Sequence, residues 1–263
     1  MLIDKTVVIT GASGGIGHAI AQSLHDAGAK LILVGRNSQN LKTLNRKLGD
    51  KHVVIQADIS TESGRDTIVK QCQTIGVVDV LINNAGVGQF DLFEQISKEK
   101  ISEIITVNLT STILLTHCLL PLLQQQNSAK IINIGSTFGS IGFPGSSVYS
   151  ASKFGIKGFS KSLSREMMGS SISVQYFAPR ATKTSINNQY VDAMNKELGT
   201  KMDAPEQVAA ELMLFIQTKK KQYFVGWPEK LFVRINGLFP GVVDGSIAKQ
   251  LPVIKRFLKQ AKH

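Results

Sequence analysis

The sequence predicts an α/β fold with a single doubly wound parallel sheet, flanked by helices on both faces. Six apolar, strand-like runs alternate with stretches of helical period along the 263 residues. The runs are almost continuously apolar, as expected where crossover helices bury both sides of a sheet. A chain of this length can bury one large core, so we expect one domain over residues 1–263. The predicted strands span 6–10, 31–34, 53–55, 77–82, 131–134 and 172–177.

Net charge and cysteine content limit which partners, which cell compartment and which metal sites are expected. A net charge of +11 favours anionic partners, which include nucleic acids, anionic membranes and phosphorylated cofactors or substrates. No nucleic-acid-binding motif is recognisable, so we expect no nucleic-acid partner. No apolar run approaches membrane-spanning length, and the first residues do not form a secretion signal. Cys72 and Cys118 lack CxxC spacing and the histidines lack metal-ligand spacing. We therefore expect a cytoplasmic protein with two buried structural thiols and no metal.

A glycine-rich loop follows the first predicted strand and directly precedes a helical pattern. Residues 10–17 read TGASGGIG. Glycine lets the backbone turn sharply and approach a pyrophosphate, and a helix N-terminus offers free N–H groups to the anion. The sequence therefore predicts a Rossmann-like dinucleotide site, with an ordinary tight turn as the alternative. The candidate cofactor contacts in this loop are Gly11, Ser13, Gly15, Ile16 and Gly17.

The end of the second predicted strand favours NADP(H) over NAD(H). An NAD-selective site places an acidic residue there to hold the ribose 2′-hydroxyl, but this chain has Gly35 followed by Arg36. A guanidinium at this place can pair with a 2′-phosphate through two parallel, charge-assisted hydrogen bonds. The alternative is a solvated arginine after a strand.

The motifs resemble those of the short-chain dehydrogenase/reductase family over residues 5 to about 226. Gly11, Gly15 and Gly17 fit its GxxxGxG loop, although Gly14 also allows the GxxGxxG of the extended branch. Residues 83–86 read NNAG, which favours the compact branch. Many NADP-using relatives carry a basic residue where this chain has Gly14. The resemblance implies further cofactor contacts at Asp58, Ile59, Asn84, Ala85, Gly86, Pro179 and Thr184.

Four residues fill the catalytic places of the resembling family. Tyr149 and Lys153 stand four positions apart in a predicted helix, so both side chains leave one face. An ammonium group beside a phenol stabilises the phenolate and lowers the tyrosine pKa. Ser136 follows the fifth strand and can donate a hydrogen bond to a substrate oxygen. In the family Lys153 also holds the nicotinamide ribose. Asn108, in a predicted long helix, holds a water that links the lysine to solvent, with a satisfied structural amide as the alternative.

The resemblance implies an NADPH-dependent oxidoreductase that interconverts a carbonyl and a secondary alcohol, with Tyr149 as general acid/base. The substrate is a small molecule, and a 3-oxoacyl thioester and a broader, steroid-like ketone both remain open. A homodimer or homotetramer is expected. The alternative from another class is a non-catalytic NADP(H)-sensing or interaction protein. That alternative usually requires the loss of the tyrosine or the lysine, and both are present.

Two segments expected near the substrate, Arg180 and residues 185–202, either depart from the family pattern or belong to a part that varies within the family. Arg180 stands where the family has glycine after Pro179. It is either a solvated loop residue or, with Lys183, a cation that attracts an acidic acyl thioester. Residues 185–202 are polar and interrupted, as expected of a substrate lid. The candidate pocket residues are Phe138, Ser140, Phe143 and Tyr190.

Residues 228–263 form a C-terminal extension. Its last part alternates apolar and basic residues and predicts a basic amphipathic helix. Packing against its own domain or a second subunit is favoured over peripheral contact with an anionic membrane.

Overall fold

The structure is a computed structural model and describes residues 2–261. Within that range seven parallel strands form one sheet in the order β3-β2-β1-β4-β5-β6-β7, which confirms the predicted fold class. The order reverses between β1 and β4, at the point where a doubly wound sheet opens a crevice for ligands. The strands are β1 (Thr6–Thr10), β2 (Lys30–Gly35), β3 (Val53–Gln56), β4 (Val80–Asn83), β5 (Ala129–Ile134), β6 (Ile172–Ala178) and β7 (Gln222–Phe224).

Two strand predictions were wrong. The fourth strand begins at Val80 and not at residue 77, because residues 77–79 lead out of the preceding helix, whose C-cap is Gly76, and Asp79 turns its carboxylate toward the start of β1. One oxygen of that carboxylate accepts from the backbone N–H of Thr6 at 2.9 Å, and the other accepts from Lys5 Nζ at 2.7 Å. The edge strand β7 was not predicted, since its three residues are exposed or half-buried and give no apolar run.

Helices cover both faces of the sheet. They are α1 (Gly15–Asp26), α2 (Ser38–Lys47), α3 (Glu62–Ile75), α4 (Lys98–Ile105), α5 (Ser111–Gln124), α6 (Ser147–Glu166), α7 (Gln189–Glu197), α8 (Pro205–Ile216), α9 (Trp227–Leu238) and α10 (Pro240–Gln260). Successive side chains of each strand point to opposite faces of the sheet and pack in two different hydrophobic cores. Val7 packs with Ile20 of α1 and Leu212 of α8, whereas Val8 packs with Leu119 of α5 and Leu163 of α6. This two-sided burial explains the continuous apolar runs in the sequence.

The predicted long helix around Asn108 is interrupted. A π-helical turn, Thr106–Thr110, joins α4 to α5, and Asn108 lies in it. The whole helical stretch Lys98–Gln124 is long and apolar enough to cross a membrane by length and composition, so the prediction that no run approaches that length was wrong. Its sheet-facing residues Leu115 and Leu119 are fully buried in a core, as in the central helix of a globular protein.

The C-terminal extension packs on its own chain through α10. Ile254, Phe257 and Leu258 are buried in a cluster with Phe90 and with Met194 of α7. The apolar side of the predicted basic helix is therefore used internally, as the sequence favoured.

The two cysteines differ in burial, so the prediction of two buried thiols was correct for one of them. Cys72 is fully buried in the core, and burial raises its pKa to about 12. Cys118 is only half-buried, and both thiols are free.

Candidate active site

The predicted site residues meet at the carboxyl edge of the sheet. The glycine loop follows β1, residues 83–86 end β4, Ser136 follows β5 and Pro179 follows β6. Parallel strands end at the same edge, so these segments share one crevice. A cavity of about 430 Å³ lies there. Five of the predicted residues line it, namely Ile16, Ser136, Tyr149, Pro179 and Thr184.

Three glycines of the loop leave no room for a side chain. Gly11 has a φ of +64°, and a Cβ there would lie 2.9 Å from the backbone after β4. A Cβ at Gly17 would collide with the Gly11 carbonyl oxygen, and one at Gly15 would lie 2.7 Å from Cγ2 of Thr184. At Gly14 a Cβ would make only an ordinary contact at 3.5 Å. The spatial constraint thus falls on the GxxxGxG positions and not on Gly14.

The loop and the start of α1 fit a pyrophosphate group. The N-cap residue Gly14 has no side chain to cap the helix, and the first turn of α1 contains no acidic residue. In this described segment the first N–H groups and the positive end of the helix dipole are therefore available to an anion. Bare glycine backbone beside them allows a close approach.

A hydrogen-bond network fixes the loop against the end of β4. The Thr10 hydroxyl accepts from the backbone N–H groups of Asn84 at 3.0 Å and Ala85 at 3.1 Å. Asn84 Nδ2 donates to the carbonyl oxygens of Thr10 at 3.1 Å and Gly11 at 3.2 Å. Gly86 lies beside Asn108. A Cβ at position 86 would lie 3.2 Å from Oδ1 of Asn108. Asn84 therefore acts in this structure as a brace between the two strand ends.

The candidate adenosine contacts lie at the ends of β2 and β3. Arg36 is exposed, and within residues 2–261 it takes part in no ion pair. Asp58 accepts at one carboxylate oxygen from the N–H of Ser60 at 2.8 Å and from its hydroxyl at 2.7 Å. Burial would raise the pKa of Asp58, but the Ser60 bonds and the nearby charge of Arg36 hold the pKa below its usual value. Ile59 is buried beside it, and its carbonyl accepts from Arg65 at 2.8 Å.

Tyr149 and Ser136 meet inside the cavity, with Lys153 one helical turn away on α6. The Ser136 and Tyr149 side chains line the same wall, and Lys153 Nζ lies 5.7 Å from the centroid of the tyrosine ring. The sequence predicted that the ammonium lowers the tyrosine pKa. The structure differs, because burial is the largest influence and raises the pKa of Tyr149, while the nearby Ser136 hydroxyl opposes the rise. The phenol therefore keeps its proton at neutral pH.

Lys153 is buried behind the tyrosine. Its Nζ donates to the carbonyl oxygen of Ile134 at 3.0 Å. Burial lowers the pKa of Lys153 to about 8, because the low-dielectric surroundings disfavour the ammonium form. A small change of pH near this value changes the charge next to the phenol.

Asn108 uses its side chain within the protein. Its Oδ1 accepts from the N–H of Val87 at 2.8 Å, and its Nδ2 donates to the Val87 carbonyl at 3.0 Å and to Ser152 Oγ at 3.1 Å. These are the bonds of a satisfied structural amide, which was the alternative for this residue. They tie the chain after β4 to the helix of Tyr149, and the water-holding role stays a prediction.

Comparison with known proteins identifies the family. The family model described as short chain dehydrogenase matches residues 5–195. The chain belongs to that family. This short-chain dehydrogenase is 33% identical over 241 residues to Nodulation protein G of Rhizobium sp. (strain N33), covering 90% of the chain and 97% of that protein. It is 31% identical over 230 residues to the 3-oxoacyl-(acyl-carrier-protein) reductase FabG of Rickettsia bellii (strain RML369-C), covering 86% of the chain and 94% of the relative.

A solved structure bears on the cofactor. The 3-ketoacyl-(acyl-carrier-protein) reductase from Brucella melitensis complexed with NADH has a TM-score of 0.79 and 25% sequence identity, over 86% of this chain and 98% of that one. The comparisons therefore support an oxidoreductase that uses a nicotinamide cofactor. They do not separate NAD(H) from NADP(H).

Tyr176 of β6 is a positioning residue that the sequence reasoning missed. Its hydroxyl accepts from the N–H of Ser136 at 3.3 Å and donates to the Ser136 carbonyl at 3.1 Å. A Cβ at Gly135 or Gly139 would collide with its phenol group, so both glycines make room for it. In this short-chain dehydrogenase the backbone of Ser136 is thus held by a buried phenol. The glycines around Ser136 were the available signal.

Gln89 is a second residue that was missed. Its Oε1 accepts from the backbone N–H groups of Val148 and Tyr149, both at 3.0 Å. The residue at the N-cap of α6, Ser146, does not cap the helix with its side chain, so Gln89 takes that role from the loop after β4. Its Nε2 is buried without a partner, and the residue lines the cavity. Gln89 therefore connects the placement of Tyr149 to the cavity wall.

Arg180 lines the cavity but is neither a solvated loop residue nor a free cation, so neither of the two expected descriptions of its side chain fits. Attraction of an acidic substrate by Lys183 stays a prediction. Its guanidinium donates to both carboxylate oxygens of Asp203, at 2.6 and 2.7 Å, and lies 3.2 Å from Glu229 of α9. The bond with Asp203 is the largest influence on the pKa of Arg180 and raises it. Two carboxylates balance this charge, and the network joins the loop after β6 to α9.

The segment 185–202, predicted as a lid, borders the cavity and contains α7. Its lining residues are Ile186, Asn187, Asn188, Val191, Met194, Asn195 and Thr200. Met194 also packs in the cluster with α10, so the segment is held from behind by the C-terminal helix. A closing motion stays a prediction.

The aromatic wall of the cavity was half predicted. Phe138 and Phe143 line the cavity and stack with ring centroids 4.9 Å apart. Ser140 and Tyr190 do not line it. The Ser140 hydroxyl accepts from Lys157 Nζ at 2.7 Å, and Tyr190 packs against the α10 cluster.

Proposed function

We propose that this chain is an NADPH-dependent oxidoreductase that interconverts a carbonyl and a secondary alcohol, with Tyr149 as general acid/base. One observation carries the proposal. Tyr149 and Ser136 lie on the wall of one cavity, and Lys153 is buried beside them, with its Nζ 5.7 Å from the centroid of the Tyr149 ring. Ile16 of the glycine loop and Thr184 are candidate dinucleotide contacts, and both line the same cavity.

The chain's own residues supply the proton and the orientation. Ser136 donates a hydrogen bond to the substrate carbonyl oxygen and holds it near the phenol. Tyr149 is neutral at physiological pH, since burial raises its pKa, and it gives its proton to that oxygen. The Lys153 ammonium then stabilises the phenolate, and proton return restores the tyrosine. When bound, the nicotinamide supplies the hydride in reduction and accepts it in oxidation.

The preference for NADPH rests on Arg36. The chain offers no carboxylate at the end of β2, and the exposed guanidinium there is unpaired among the described residues. Arg36→Ala should reduce the NADPH-over-NADH ratio of kcat/KM at least roughly tenfold, because one charge-assisted contact to the 2′-phosphate is lost. Arg46→Ala, an exposed arginine at the other end of α2, is the matched control and should leave the ratio unchanged. An unaltered ratio in the Arg36 variant would remove the assignment.

The cavity favours a substrate with an apolar arm. Phe90, Phe138, Phe143 and Val191 form an apolar part of its wall. A 3-oxoacyl thioester is the candidate supported by the named 3-oxoacyl reductase relative, and a broader ketone is the other. Since Arg180 is neutralised by two carboxylates, charge attraction at that residue does not favour the thioester.

A substrate panel tests both the reaction and the substrate class. NADPH oxidation should be followed with 3-oxoacyl coenzyme A thioesters, the corresponding neutral 3-oxo esters, cyclic ketones and quinones. We expect reduction of at least one carbonyl compound and a higher kcat/KM for longer apolar arms. A thioester preference over the ester of equal chain length identifies the first candidate. Oxidation of NADPH by no compound, in protein shown to bind NADPH, would favour the non-catalytic sensing or interaction protein.

The assembly proposed with this function is a homodimer or homotetramer. Sedimentation velocity at assay concentration measures it directly. A monomer under all active conditions would contradict it.

A further inference from the structure

The C-terminal helices leave an apolar surface uncovered. We define the α9 surface as the exposed apolar residues of α9 and of the turn into α10. The exposed fraction is 74% for Leu238, 69% for Trp227 and 65% for Phe239, and α9 has no buried residue at all. The members of the α9 surface are Trp227, Leu231, Phe232, Leu238, Phe239 and Val242. An exposed cluster of large apolar side chains on a single hairpin marks an interaction site.

The opposite side of α9 is fixed to the catalytic domain, which holds the α9 surface outward. Asn236 Nδ2 donates to the Ser140 carbonyl at 2.9 Å. Glu229 pairs with the buried Arg180 at 3.2 Å. Trp227, Leu231 and Leu238 are four and seven positions apart in sequence, so they share the face that points away from these contacts.

The segment of the chain that carries this surface is strongly cationic. Between residues 219 and 261 the chain has nine basic and two acidic residues, a net charge of +7 out of +11 for the whole chain. Glu229 is paired with Arg180, and among the basic residues Arg256 is paired with Glu197. Arg234 lies on α9 itself, seven positions after Trp227 and four before Leu238, and is exposed. The basic residues are Lys219, Lys220, Lys221, Lys230, Arg234, Lys249, Lys255, Arg256 and Lys259.

We infer that the α9 surface docks onto an anionic lipid bilayer. Tryptophan, phenylalanine and leucine beside lysine and arginine are the composition that lies at the boundary between headgroups and acyl chains. The cations add attraction to an anionic headgroup layer. A second copy of the chain is a poorer occupant, because pairing two such surfaces brings like charges together. The contact uses α9 and the turn, not the apolar side of α10, whose residues Ile254 and Phe257 are buried.

Docking would place a wall of the substrate cavity next to the membrane. Glu229 belongs to α9 and also lines the cavity. The bilayer would therefore contact the helix that borders the substrate, which suits a substrate with an apolar arm. This consequence rests on the proposed function, whereas the docking itself does not.

The chain carries its own reporter for the test. Trp227 is its single tryptophan and lies at the start of the α9 surface. The full chain is mixed with phosphatidylcholine vesicles, or with vesicles in which a quarter of the lipid is phosphatidylglycerol, and flotation and tryptophan emission are measured. We expect flotation and a blue-shifted emission with the anionic vesicles only, with both effects weakened by high salt. No flotation with anionic vesicles, or equal flotation with neutral ones, overturns the inference.

A pair of double variants separates this surface from general stickiness. Leu238→Ser with Phe239→Ser removes two members of the α9 surface and should weaken vesicle binding at least roughly tenfold. Met168→Ser with Leu214→Ser removes two side chains that are equally exposed elsewhere, at 69% and 68%, and should leave binding unchanged. Both proteins are first shown to melt like the wild type. Unchanged binding in the first variant, or an equal loss in the second, contradicts the inference. So does sedimentation velocity showing that the wild type self-associates through Leu238 and Phe239.

Discussion

Lys153 is buried at a cost in stability, so replacing it should stabilise the protein while abolishing turnover. Burial lowers the pKa of Lys153 from 10.5 to about 8. That difference corresponds to about 3 kcal/mol when the ammonium form is buried at neutral pH. In Lys153→Met an unbranched apolar side chain fills similar space, but the Ile134 carbonyl loses its donor, which costs about 1–2 kcal/mol. The expected net gain in the free energy of unfolding is about 1–2 kcal/mol.

The gain should depend on pH in a definite direction. The unfolded chain keeps the lysine proton up to pH 10.5, whereas the folded chain releases it near pH 8. Between these values the unfolded state binds more protons, so the stability of the wild type rises with pH. The methionine variant lacks this titration. Its advantage should therefore be largest below pH 8 and should reverse toward pH 10.5, because the wild type then no longer bears the cost of a buried ammonium while the variant still lacks a donor to the Ile134 carbonyl.

Thermal unfolding without added cofactor measures the effect. Near neutral pH the variant should melt about 4 °C higher than the wild type, and near pH ~10 it should melt lower than the wild type. Lys161→Met, an exposed lysine on the same helix, is the control and should show no gain at either pH. A variant that melts lower than the wild type at neutral pH, or gains equally at both pH values, would refute the reasoning.

Three further predictions follow from the site geometry. Gly14→Arg should raise the NADPH-over-NADH ratio of kcat/KM about tenfold, because the position has room for a Cβ and a second cation would reach the 2′-phosphate; an unchanged ratio contradicts this. Tyr176→Phe should lower kcat about tenfold with little change in the KM for NADPH, since it frees the backbone of Ser136; an unaltered kcat shows that the phenol only packs. Gln89→Leu should lower both the melting temperature and kcat, and Gln89→Glu, which keeps an acceptor at the start of the helix, should restore most of each; no rescue by Glu sinks the capping role.

The fold could be predicted because its signals are local. Runs such as Val7 to Ile9 show that both faces of a strand are buried, and the glycine loop shows where the first strand passes into a helix. Strand ends were less certain. The apolar run before β4 includes residues that only connect the strand to the C-cap of α3 at Gly76, and β7 lacks any apolar pattern.

A site contact could be predicted wherever both of its residues belong to one short sequence motif. Tyr149 and Lys153 are one helical turn apart, so their meeting follows from helix geometry. Arg180 shows the limit. In the sequence it is a cation at the cavity mouth, but its partners Asp203 and Glu229 come from two later segments, and only the folded chain brings them together.

The same limit applies to the residues that hold the catalytic groups. Gln89 and Tyr176 fix Tyr149 and Ser136 from loops and strands that no short motif connects. Their roles depend on hydrogen bonds between distant segments, which spacing in the sequence does not encode. The outward face of α9 was missed for the opposite reason, because an apolar helical pattern predicts burial whether or not a partner is present.

The central claim is that the Tyr149 phenol transfers the proton in a carbonyl–alcohol interconversion. Tyr149→Phe keeps the ring and removes only the hydroxyl of a residue that lines the cavity with Ser136. The decisive measurement is kcat with the best carbonyl substrate, alongside the dissociation constant for NADPH. The account predicts a loss of kcat of at least about a hundredfold with unchanged NADPH affinity. Wild-type turnover in this variant would contradict it.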